Sequence, residues 1–250
     1  MRSALEVRNL FNLKYQNLNS GVAPGLNDYE ISLYLTESKK QIIDYYYSDN
    51  LKGSIDENER VKKYLSVLVK PSEPIELNDL LDESVHFSGY YTYKVELENN
   101  VWRVLEERIS RETTDECLSS IRGDVIPTNW DILRDTLENP FRRPNNKIVL
   151  RVDMDRCHYL ISKSELNNYM YTYLEFPKPY IITDLNTFMT DFDLEDNGNP
   201  NTIDGISEIT LNELDHFIDD LIINRAVELA IKDYRENSLS TNISLNQRSL

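Results

Sequence analysis

Apolar positions along this chain follow a helical period at both ends and a strand period in the middle. The most regular stretch lies near the C-terminus. There Leu214, Phe217, Ile218, Leu221, Ile222, Ala226, Leu229 and Ala230 keep one stripe at the 3.6-residue period. Thr210, with Glu213 three residues on, predicts a capping box at the start of that helix. The alanines predict close approach of a neighbouring helix, and the N-terminal segments are the natural partner. Residues 3–18 set Leu5, Leu10, Leu13 and Leu18 among polar positions, a short amphipathic helix that Gly21, Pro24 and Gly25 break. Asn27 or Asp28 caps a second helix, with Glu30 placed three after Asn27 for another capping box. Its apolar face runs through Ile31, Tyr34, Leu35, Ile42, Ile43 and Tyr46, and the two helices are expected to form an antiparallel hairpin.

In the middle the period drops to two. Val85, Phe87, Tyr91, Tyr93, Val95 and Leu97 alternate as a strand does, and Asn99 with Asn100 makes a turn. Residues 101–109 predict a second strand, although Val101, Leu105 and Ile109 also fit a helix. A short helix is expected after Thr128, stopped at Asn139 and Pro140. Residues 147–152, 157–162 and 168–176 predict further short strands, and Pro177 and Pro179 stiffen the exit into an extended piece at 180–183. Residues 190–208 read as an acidic loop, and 237–250 as a polar tail without an element of its own. The pattern is therefore α+β: a helical hairpin plus a long C-terminal helix, with an inserted β-rich domain. The expected borders are 1–55 together with 206–236 for the helical unit, 56–205 for the β-rich domain, and 237–250 for an extended tail.

Charge narrows the function classes. With 43 acidic against 27 basic residues the chain carries −16, which argues against coating a duplex, since phosphate binding needs clustered Lys and Arg. It suits equally a soluble surface and a wall that lets nucleic acid pass without sticking. Cys117 and Cys157 lie far apart without metal-type spacing and read as reduced thiols. The N-terminus lacks a signal-type apolar core, and no run approaches the roughly 20 apolar residues that span a bilayer. Sixteen tyrosines beside seven phenylalanines suit half-buried strands and wet subunit interfaces.

Motifs for catalysis are missing. His86, His158 and His216 share no ligand spacing, no Ser-His-Asp set can be singled out, and none of the seven glycines matches a phosphate loop. Asp153 and Asp155 form Asp-x-Asp, read as a strand-end turn in an acidic protein. Residues 193–204 imitate a calcium loop, with Asp193, Glu195 and Asn197 at its first, third and fifth positions, Gly198 at the sixth and Asp204 at the twelfth. Pro200 at the eighth position, the short Asp204 and the lack of a helix starting inside the loop favour a solvated turn. Basic residues cluster once, where Arg142 and Arg143 stand between Pro140 and Pro144; in so acidic a chain a carboxylate on a neighbour is their better partner.

Several segments, taken in order, resemble the ring (head-to-tail connector) proteins of crAss-like bacteriophages. They are residues 26–36, 59–65, 104–108, 127–144, 171–181 and 214–230, above all Asn224 to Ala230. The resemblance implies a helical unit with a β-rich insertion, no enzyme activity and no cofactor. It also implies many copies, usually twelve, around the channel below the portal.

The sequence is accordingly read as a structural virion protein that extends the DNA channel between portal and tail. Its expected partners are copies of itself, the portal protein and adjacent ring or tail proteins, with DNA passing unbound and no membrane involved. It would be built into the virion in the host cytoplasm. Interface candidates are Arg142, Arg143, Ala226, Ala230 and the tail anchors Leu239, Ile243, Leu245 and Leu250, the tail being expected to dock on a partner chain. The rival readings are a phage-encoded hydrolase using Asp153 and Asp155, and a host-glycan-binding tail module using the tyrosines.

Overall fold

The computed structural model describes residues 2–19, 25–47, 55–77, 87, 89–111, 121–186 and 202–248. For residues 18–19, 55–58, 111, 121–122 and 236–248 the backbone alone is described. The chain is α+β and divides into two compact units, Met1–Val67 with Pro177–Leu250, and Leu68–Phe176. The second is shorter than the 56–205 expected. Residues 55–65 turn out helical, and residues 181–206 contribute Ile181, Leu185, Ile203 and Ile206 to a small core with Tyr29.

Among the described residues the long helices of the first unit are α1 (Ala4–Asn19), α2 (Asp28–Tyr47), α3 (Ile55–Leu65) and, after the β-rich unit, α5 (His216–Arg248). The expected capping box of α2 forms, with Asn27 N donating to Glu30 Oε2 at 2.9 Å and Glu30 N to Asn27 Oδ1 at 2.8 Å. Ser3 and Glu6 do the same for α1. The start of α5 differs from expectation. Thr210 pairs by its backbone with Ile181, and Asp215 caps the helix, accepting from Phe217 N at 2.9 Å. The end differs too: the backbone of residues 237–248 continues α5 as helix, where an extended tail was expected.

The apolar face of α1 is also not the leucine stripe. Val7, Phe11 and Tyr15 are buried at spacing four, while Leu5 and Leu13 are 64% and 57% exposed. Two aromatic rings at that spacing bury more area than leucines at mixed spacing. Nor do α1 and α2 form a simple hairpin; both pack chiefly along α5 and touch each other little. Tyr34, early in α2, bonds Asp233, whereas Gln41 meets Arg225, so α2 and α5 run in opposite senses. Ala226 and Ala230 are buried on α5, beside Ile222 and Val227. They serve the interior of this unit and are closed to another subunit.

One face of α2 is polar and yet buried. Ser32, Thr36 and Lys39 recur at spacings of four and three, on one side of the helix, and meet every second residue of an extended segment. Lys39 Nζ donates to Lys178 O at 2.9 Å, Tyr180 N donates to Thr36 Oγ1 at 2.9 Å, and Ile182 N donates to Ser32 Oγ at 3.1 Å. On the other side, Ile181 exchanges backbone bonds with Thr210 at 2.9 and 3.0 Å. Burial lowers the Lys39 ammonium to about 8, against the pull of Glu213 and Asp219.

The second unit is one curled mixed sheet. Its strands are β1 (Val69–Pro71), β2 (Ile75–Glu76), β3 (Tyr91–Glu96), β4 (Val101–Arg111), β5 (Ile121–Thr128), β6 (Ile148–Met154), β7 (Cys157–Ser162) and β8 (Asn168–Glu175). They follow the order β1-β8-β4-β5-β6-β7-β3, with β2 also on β8. The helix α4 (Trp130–Glu138) links the parallel neighbours β5 and β6 and covers Leu150, Val152 and Tyr159 with Leu133 and Leu137. Alternate residues of β6 and β7 face the opposite side, where Val149 and Leu160 join Tyr93, Ile109 and Tyr169 in the main core. Both faces are thus filled, which makes these strands near-continuous apolar runs.

Curling depends on β5, which changes partner midway. Residues 121–123 pair antiparallel with β4, and residues 124–128 pair parallel with β6. Gly123 stands at the switch, and a Cβ there would lie 2.6 Å from Ile109 Cδ1 and 3.0 Å from Lys147 O. Ile109 is buried and Lys147 O belongs to the backbone, so neither yields easily. Gly123→Ala is expected to lower stability by about 1–3 kcal/mol through overpacking, seen as a lower urea midpoint. An unchanged midpoint would mean that the two strand pairs separate freely at this corner. In the first unit, Thr36→Val keeps the shape but strips the Tyr180 N–H of its acceptor, and is expected to cost about 1–3 kcal/mol. Thermal unfolding followed by circular dichroism measures it, with Thr36→Ser as the variant that retains the bond.

Candidate functional site

The main candidate for chemistry lies in the β-rich unit, where four strands deliver polar side chains to one place. Glu107 comes from β4, Arg151 and Asp153 from β6, His158 from β7 and Tyr169 from β8. Tyr169 donates its hydroxyl to Glu107 Oε1 at 2.6 Å, and Arg151 pairs with the other oxygen of Glu107. Arg151 also holds Asp153 at 2.8 Å. With the hydroxyl proton directed at Glu107, the Tyr169 oxygen is left to accept from His158 Nδ1 at 2.8 Å, while Asp153 lies 3.5 Å from Nε2. Tyr169, Tyr171 and Tyr173 alternate on β8 with ring centres 5.7 and 5.6 Å apart, and His158 packs edge-on to the first two.

A tyrosine, a histidine and two carboxylates in a row have the look of a proton relay. Burial decides against it. Tyr169 is wholly enclosed, and His158, although it borders the groove beside the cluster, is only 3% exposed. Desolvation, aided by Arg151, holds His158 down at about 4 against the pull of Asp153. Desolvation and Glu107 push the Tyr169 phenol far up. Burial also raises Glu107, opposed by Tyr169 and Arg151. The cluster ties β4, β6, β7 and β8 together through ion pairs and hydrogen bonds between side chains.

A polar groove of about 480 Å³ opens beside it, lined by Trp102, Arg103, Asp153, Asp155 and Arg156 among others. Asp155 sits at the tight β6–β7 turn with φ +54°, and Asp153 is engaged by Arg151. The two carboxylates therefore do not act as the paired acid and base of a hydrolase. The buried tyrosines of β8 likewise offer no face for a sugar ring to stack on. Among the described residues, no group of three His, Cys, Asp or Glu side chains is placed to hold a metal ion.

Other sequence candidates scatter. Cys157 is a free, half-buried thiol on β7, and His216 opens α5. His86, Cys117 and the calcium-like positions from Asp193 to Pro200 lie outside the described residues. Asp204 begins a tight turn with Gly205, both at positive φ, and pairs with Lys40 at 2.8 Å. Arg142 and Arg143 stand exposed in the turn after α4. Leu239, Ile243 and Leu245 fall where only the α5 backbone is described, and Leu250 lies beyond it.

The outer surface carries what sequence reasoning missed. Phe141, beside the arginine pair, is 91% exposed. Between α2 and α5 runs a groove of about 580 Å³ lined by Ile42, Tyr45, Tyr46 and Leu221. A second of about 580 Å³ lies beside α2, with Leu33, Glu37, Ile203 and Asp233. Exposed large apolar side chains and grooves of this kind mark surfaces for other proteins.

An enclosed polar cluster, together with exposed apolar side chains such as Phe141 and open grooves on the helical unit, suits a component of an assembly. The chain belongs to the family described as phage tail ring protein 3/4, whose model matches residues 3–242. It is 31% identical to Ring protein 3 of Bacteroides phage crAss001 over 222 residues, covering 86% of this chain and 90% of that one. Ring protein 4/5 of the same phage is 25% identical over 253 residues, covering 98% of each. The chain is thus a structural ring protein of a tailed phage, a multimeric part of the virion and not an enzyme. No described helix is long and apolar enough to cross a membrane.

The cluster makes acid stability testable. His158 titrates at about 4 when folded and near its ordinary 6.5 when unfolded. Above 6.5 its neutral form is fully compatible with the fold, and that stability is lost as pH falls toward 4, up to about 3 kcal/mol. Urea midpoints between pH 7 and 4 are expected to fall more steeply for the wild type than for His158→Gln. Parallel curves would show that His158 is hydrated in the folded state.

Proposed function

We propose that this chain forms one ring of the portal–tail connector, in twelve copies, and lengthens the channel through which DNA leaves the capsid. The observation that carries this reading is the match to ring proteins over nearly the whole chain, helical and β-rich units alike. The portal protein and adjacent ring or tail proteins are its neighbours, and the ring joins the particle in the host cytoplasm. Its net charge of −16, repeated around the ring, favours a wall that repels phosphate, so DNA slides without specific binding.

Purified protein examined by light scattering and negative-stain microscopy is expected to give closed rings that do not retain duplex DNA at physiological salt. Particle images with the chain labelled are expected to place it between portal and tail. A protein that stays monomeric at every concentration, and joins particles elsewhere, would remove the connector assignment. Tight duplex retention by the ring would remove the sliding wall.

A further inference from the structure

A closed ring of more than two copies needs two different surfaces on each subunit, each complementary to the other. We propose that Phe141, Arg142 and Arg143 of one copy dock into the groove beside α2 of the next, with Phe141 on Leu33 and the arginines on Glu37 and Asp233. This contact rests on the ring reading above.

The turn is built as a plug. Asn139 O accepts from Arg142 N at 3.2 Å and Arg143 N at 3.0 Å, while Asn139 Oδ1 accepts from Phe141 N at 2.9 Å. Pro144 is buried just behind. These bonds fix the backbone before any partner arrives, which lowers the ordering cost of binding. They present a phenylalanine 91% exposed, the most exposed large apolar side chain among the described residues. Aromatic and arginine side chains are also the ones that dominate interface energies.

The groove has the matching chemistry. Glu30, Glu37, Asp204 and Asp233 line it against the single cation Lys40. Glu30 is engaged in the α2 cap and Asp204 with Lys40. Glu37 and Asp233 are exposed; they accept from Gln41 and Tyr34, and each carboxylate keeps room for a forked arginine. In the groove between α2 and α5, Arg225 and Glu228 pair at 3.0 Å and cancel, so charge selects the groove beside α2. A nucleic-acid track wants several clustered cations, whereas Asp135 and Glu138 stand exposed on the helix before this turn.

Two half-dead proteins test the contact. One carries Arg142→Glu and Arg143→Glu, the other Glu37→Arg and Asp233→Arg; all four sites are exposed, and circular dichroism checks each fold. Light scattering at low salt should show rings for the wild type and monomers for either variant alone. An equimolar mixture should recover assembly, because the unaltered plug meets the unaltered groove and the reversed plug meets the reversed groove, each pair opposite in charge. Phe141→Ser should weaken wild-type assembly at least tenfold, and added salt should weaken it progressively. Wild-type rings together with unaltered rings from both variants would overturn the contact and leave the ring reading standing. A wild type that never associates would sink both. Intact rings that lose residual duplex binding on Arg142→Glu and Arg143→Glu would assign the turn to DNA instead.

Discussion

A helix has no free backbone edge along its length, yet here one serves as the edge of a ladder. Ser32, Thr36 and Lys39 of α2 supply, with side chains, the partners that a strand would supply with its backbone. Their spacing brings them level with residues 178, 180 and 182, and the intervening Ile181 takes its partner from Thr210 on the other side. The helical unit depends on this arrangement, since the segment would otherwise bury backbone groups without partners. It also fixes where the chain re-enters after the β-rich unit. Lys39 shows the cost: an ammonium held well below its ordinary range because water is excluded around it.

The β-rich unit solves a different problem, how to curl a sheet without breaking it. A strand that exchanges one neighbour for another needs a point with no side chain, and Gly123 provides it. The polar cluster around Glu107 and Arg151 then locks strands on either side of that corner. Its residue types suggest catalysis and its burial forbids it. Groups able to shuttle protons serve here as cross-braces.

Much of this was legible from periodicity. The α2 cap, the short helix after Thr128 and strands β3, β6, β7 and β8 follow from spacing and turn residues, while β4 was one of two readings that its spacing allowed. Other elements were hidden by local chemistry. Strand β5 was not foreseen, since it contains Gly123 and Pro127, residue types that ordinarily interrupt strands. There residues 124–128 pair on one side alone, leaving an edge where the missing N–H of Pro127 does no harm. The Thr210 and Glu213 pattern is a sound cap signal that tertiary pairing with Ile181 overrides. Leu5 and Leu13 look like core on α1 until Phe11 and Tyr15 take the inner face. Of the proposed contact, the sequence offered the arginine pair as a candidate; the neighbouring Phe141 gained meaning once its exposure was known.

The ladder beside α2 has one more consequence, for solubility at high local concentration. Ring subunits crowd together during assembly, and an exposed extended segment invites edge-to-edge pairing with its copies. Pro177 and Pro179 have no N–H to offer, and those of Tyr180, Ile181 and Ile182 are already taken. The segment, buried apart from Lys178, therefore offers few free N–H groups to template another strand where the chain returns to the helices.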